Sequence, residues 1–77
     1  SMTQQEATKL YAKGKLVSAE VLPAPSADGN WFVLLHNNRG KSFMLVDSDE
    51  RIITRPDLNG LIETIREIGF RIASIRM

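Results

Sequence analysis

Apolar residues at Leu58, Leu61, Ile62, Ile65 and Ile68 recur at the spacing of one helical face. Pro56 suits a first helical turn, Asp57 places negative charge at the positive helix end, and Gly69 supplies a left-handed stop. Asn59, Glu63, Arg66 and Glu67 fall on the opposite side and are expected toward solvent. Upstream of this helix the period changes from 3.6 to two. Over residues 15–24, Val17, Ala19 and Val21 point one way, and Leu16, Ser18, Glu20 and Leu22 the other, until Pro23 and Pro25 stop the strand. Over residues 30–37, Trp31, Val33 and Leu35 alternate with Phe32, Leu34 and His36. Residues 41–47 set Phe43 and Leu45 against Met44 and Val46. Residues 70–77 alternate less regularly and read as a last strand.

The start of the chain carries a shorter helical pattern. Thr3 and Glu6 stand at capping-box spacing, Ala7, Leu10 and Tyr11 make a narrow apolar stripe, and Gly14 ends it. So short a helix either frays or docks on the sheet or on a neighbouring subunit. Turn residues separate the strands: Ser26, Ala27, Asp28 and Gly29 with Asp-Gly as the hairpin tip, then Asn37 to Gly40, then Ser48 to Arg51. The predicted fold is a single α+β domain over residues 1–77. It has a short N-terminal helix, a three-stranded antiparallel meander, one amphipathic helix packed on the sheet, and a C-terminal strand.

One long helix covers one sheet face, yet the central strand is apolar on both. An open face of that kind is an unusually large exposed patch. Trp31, Val33 and Leu35 form the expected interaction face, or else Phe32 and Leu34 do, with the N-terminal helix or a second copy of the chain as cover. A homo-oligomer is therefore expected. Gly60, inside the helical pattern, marks either a helix start near Leu61 or a close backbone approach.

Composition narrows the class. Seventy-seven residues without cysteine leave no disulfide or thiolate zinc site, so stability must come from packing or a partner. Ten basic and nine acidic residues give a formal charge of +1, which offers no case for strong non-specific binding to nucleic acid or membrane. The expectation is a soluble, cytoplasmic protein with no membrane partner; Ser1 before Met2 reads as a tag remnant.

Candidate chemistry is sparse. His36 is the single histidine, with Ser42 on the neighbouring strand and no third member evident in sequence. Asp47, Asp49 and Glu50 lack the central glycine and distal glutamate of a calcium loop and read as a solvated turn. Gly40, Lys41 and Ser42 lack the first glycine and the following helix of a phosphate loop. The reading is a non-enzymatic interaction module with no cofactor, metal or small-molecule substrate.

The run NWFVLLHNNRGKSFMLV has the strand, basic turn and strand cadence of the small arm-binding domains of tyrosine recombinases, which lay a sheet in the major groove. That resemblance implies DNA contacts at Arg39 and Lys41, with Arg51 and Arg55 nearby. The element order also resembles a double-stranded RNA-binding domain, but the second helix opens Pro56, Asp57, Leu58, Asn59, Gly60 where that family has a lysine cluster. Residues 14–41 and 53–70 together resemble small replication- or partition-related accessory proteins of plasmids and integrative conjugative elements. This implies a DNA-maintenance context and no particular activity.

Overall fold

The computed structural model describes residues 1–26 and 28–77; Ala27, part of the predicted first turn, lies outside the described residues. Among the described residues, two helices and five strands follow in the order β1 (Met2–Thr3), α1 (Gln4–Ala12), β2 (Leu16–Pro23), β3 (Trp31–Asn37), β4 (Ser42–Val46), α2 (Leu58–Ile68) and β5 (Ser74–Ile75). The α+β class stands. The three-stranded antiparallel meander does not describe the whole sheet, which is mixed and runs β1-β4-β3-β2-β5. The antiparallel core β2–β3–β4 is flanked by two parallel strands of two residues each. So short a strand has no alternation to read, and β5 is shorter than the apolar stretch 70–77 suggests.

Local chemistry sets the element ends, although Pro56, expected in the first turn of the long helix, falls before its cap because the helix starts at Leu58. Thr3 and Glu6 form a complete capping box: the Thr3 N–H donates to Glu6 Oε1 at 2.9 Å, and the Glu6 N–H donates to Thr3 Oγ1 at 3.2 Å. The Thr3 backbone N–H, then its hydroxyl, hold the Glu6 carboxyl below its usual range. Beyond α1, the Lys15 N–H returns to the Leu10 carbonyl at 2.9 Å around Gly14. Asp57, just after Pro56, caps α2. The turns share one device, a side-chain oxygen accepting backbone N–H groups: Asp28 from Asn30, Asn37 from Arg39 and Lys41, Asp47 from Asp49 and Arg51.

Both helices lie on one face of the sheet. Ala7 from α1 and Leu61, Ile65 and Ile68 from α2 form one cluster with Ala19, Val21, Val33, Leu35 and Leu45. Leu58 and Ile62 are half-buried at its margin. α1 is therefore docked beside α2, with Gln4 donating to Glu67 at 3.0 Å, and cannot cover the opposite face. A bulge between Leu16 and Ser18 shifts the parity of β2, so Leu16 joins the core with Ala19 while Val17 turns out. This corrects the strict alternation expected for that strand. Segment 52–55 fits between the splayed ends of β3 and β4: Ile53 N–H donates to the Leu45 carbonyl, and Trp31 and Arg55 exchange backbone hydrogen bonds of 2.8 and 3.1 Å.

Neither reading of Gly60 holds, and the close approach occurs at Gly69 instead, against a side chain. A Cβ at Gly60 would meet nothing within 4 Å, and the helix starts at Leu58 rather than Leu61. At Gly69, with φ of +133°, a Cβ would lie 2.5 Å from the Tyr11 ring, which in turn packs edge-on against Phe70 at 4.6 Å.

Candidate interaction surfaces

Val33 and Leu35 have no exposed surface and Trp31 is half-buried against the same core. The expected interaction face Trp31, Val33, Leu35 is thus the helix-covered one, because α2 packs against that side of β3. The helix-free face carries the alternative pair Phe32 and Leu34, with Leu22, Met44 and Val46 beside them. It is less open than sequence suggested: Phe32 and Val46 are buried, and Leu22, Leu34 and Met44 are half-buried.

The other end of this face is polar. His36 pairs across with Ser18 and Ser42, so the register brings their side chains level. His36 Nε2 lies 2.6 Å from Glu20 Oε1 and Nδ1 lies 2.8 Å from Ser42 Oγ; Arg76 reaches Glu20 Oε2 at 3.0 Å. An ionised Glu20 only accepts, so Nε2–H donates to it and, with a neutral ring, Nδ1 accepts the Ser42 hydroxyl. A polar chain Arg76–Glu20–His36–Ser42 thereby runs from the residue after β5 across the three strands β2, β3 and β4. Sequence gave no third member for His36 because Glu20 is sixteen residues away and only strand pairing places it.

That chain resembles a nucleophile–base–acid relay in connectivity alone. Four clefts of about 150–500 Å³ are lined by residues other than Glu20, His36 and Ser42. Its physical effect is to satisfy polar groups on an otherwise apolar face and to tie the C-terminal segment to β2. Among the described residues, no group of three or more His, Asp or Glu side chains is placed to hold a metal, and no helix is long and apolar enough to cross a membrane. In the Asp47 turn, the carboxylate is engaged by its own backbone.

Exposed apolar surface collects instead at the outer edge of β2. Val17 is 59% exposed, Ile72 85% and Ile75 46%. Val17 and Ile72 line a cleft of about 500 Å³ with Tyr11, Leu16 and Phe70. β5 pairs with β2 only at Glu20 and Val21, leaving Leu16–Ala19 without a paired strand on that side among the described residues.

The four predicted nucleic-acid contacts fall into two pairs. Arg39 and Lys41 lie in the β3–β4 turn, whereas Arg55 bridges Trp31 and Arg51 follows the acidic turn after β4. The length of β3 separates the pairs by roughly 20 Å. Arg55 Nη1 donates to the Thr54 carbonyl at 2.8 Å, folding the side chain back onto its own backbone. No family model, curated protein or solved structure matches this chain.

Proposed function

We propose that this chain is a non-enzymatic interaction module that self-associates by pairing the bare edge of β2 with the same edge of a second copy. The observation that carries the reading is the coincidence of unpaired backbone at Leu16–Ala19 with exposed Val17, Ile72 and Ile75. A strand edge is self-complementary about a two-fold axis, so one surface serves both copies. Burying Val17 and Ile72 from each copy is worth at most roughly 6–12 kcal/mol at about 1.5–3 kcal/mol per fully buried side chain, since Val17 is already partly covered. Association costs about 4–15 kcal/mol, so the expected dimer is weak and concentration-dependent.

Light scattering after size exclusion, run over the micromolar range, tests this. The mass should rise above the 8.6 kDa monomer with concentration, and Val17→Lys should hold it there without lowering the melting temperature. A parent protein that stays at 8.6 kDa throughout removes the proposal. Duplex binding through Arg39, Lys41, Arg51 and Arg55 together is less well supported, since Arg51 follows Asp47, Asp49 and Glu50 and Arg55 pairs with Trp31, both away from the β3–β4 turn. The mobile-element context rests on resemblance and adds no mechanism.

A further inference from the structure

The near-neutral total charge conceals a segregation. Residues 7–19 contain Lys9, Lys13 and Lys15 and no acid; residues 29–46 contain Arg39 and Lys41 and no acid. These five cations contribute +5, and the remainder, with five arginines and nine acids, carries −4, which together give the formal +1. Folding brings the cations of the two acid-free stretches to one end of the sheet. The Asn38 N–H donates to the Lys15 carbonyl at 3.0 Å, and Lys9 lies in the last turn of α1, just before Lys13. Lys41 sits over the Phe43 ring, 5.4 Å from its centroid.

At this end β4 has a free edge. β1 covers only Leu45 and Val46, so the backbone of Ser42–Met44 pairs with β3 on one side and with nothing on the other among the described residues. Beside it lies a cleft of about 300 Å³, bounded by Leu10, Phe43, Asn37, Asn38, Lys15 and Arg39. An apolar floor, a cationic rim and an open row of backbone groups occur together. We infer that this edge takes an extended acidic peptide as an added strand. An apolar side chain of the peptide seats between Leu10 and Phe43, and its carboxylates face Lys15, Arg39 and Lys41. Strand addition uses the backbone row for affinity and alternate side chains for selectivity. Charge complementarity selects an acidic partner, because every ionisable side chain lining the cleft is cationic. A nucleic acid would use the cations but neither the apolar floor nor the strand edge, so the peptide accounts for more of the surface. This edge is distinct from the β2 edge, and either proposal stands if the other fails.

The test uses the full chain and a fluorescently labelled peptide of alternating glutamate and leucine, with a lysine–leucine peptide and a random DNA duplex as competitors. Anisotropy should rise with the acidic peptide, and the Lys15→Glu, Arg39→Glu double variant should weaken it roughly tenfold or more. Both substituted side chains are exposed, so the melting temperature serves as the check on folding. Amide exchange at Ser42–Met44 should slow on binding, while Val17→Lys should leave peptide affinity unchanged. Equal binding of the basic peptide, tighter binding of the duplex, or binding without slowed exchange at Ser42–Met44 would each overturn the inference.

Discussion

The two outer edges of the sheet are built alike and finished differently. Each is a core strand covered over only two residues by a short parallel strand, β1 on β4 and β5 on β2. The bare part of β4 is flanked by Lys15, Arg39, Lys41 and half-buried Phe43. The bare part of β2 is flanked by exposed Val17 and Ile72. Open edges invite pairing, and charge beside one selects against its own copy while apolar side chains beside the other do not. The same backbone opportunity thus becomes two surfaces with different partners.

The most severe way to break this comparison is to remove the scaffold both edges share. Leu61 is 1% exposed at the centre of the helix-covered face. Leu61→Asp buries an unpaired carboxylate, and a loss of about 4 kcal/mol or more is enough to abolish cooperative melting in so small a domain. Circular dichroism during heating reads this directly; a parent-like transition would mean that α2 does not pack as described.

A smaller break affects the β2 side. Gly69 leads from α2 through Phe70 to β5, and a side chain there must displace Tyr11 while adopting a strained backbone. Gly69→Ala is expected to cost about 1–3 kcal/mol. Exchange at Ser74 and Ile75 should quicken more than at Met2 and Thr3, and uniform quickening would show that the cap does not belong to one edge.

The β4 side is sharpened by the capping box, since Thr3 ends β1 and starts α1. Thr3→Ala should cost about 1 kcal/mol in urea unfolding. Glu6→Gln isolates the charge. The folded carboxyl is held below its usual range, so its contribution is complete above the free glutamate value of about 4.3 and is lost as pH falls through the folded value. The stability gap between Glu6→Gln and the parent should therefore close in acid; a gap constant down to low pH would remove the charge from the account.

The smallest effect has the opposite sign. Gly60 is exposed in the first turn of α2 with open space where a Cβ would go. Gly60→Ala should gain about 0.5–1 kcal/mol and raise the melting temperature by a few degrees without changing mass or peptide binding. A loss would restore the close-approach reading that the geometry assigns to Gly69.

What the sequence determined by itself is local. The capping box at Thr3 and Glu6, the stops at Gly14 and Gly69, the apolar stripe of α2 and the Asx turns depend on residues within one or two turns of each other, so spacing alone reveals them. Tertiary structure decided everything that needed parity or distance. Alternation in β3 is symmetric, so nothing in WFVLLHN says whether Val33 and Leu35 or Phe32 and Leu34 meet α2. A bulge reverses the parity of Leu16 and Val17, and two-residue strands have no period, so both partly covered edges were illegible. Glu20 meets His36 and Arg76, and Lys15 comes beside Arg39, only once strands far apart in sequence lie side by side. The one trace of this in the sequence was the pair of acid-free stretches, which a net charge of +1 averages away. Pairing of distant segments, which no local spacing encodes, is what turned those stretches into a surface.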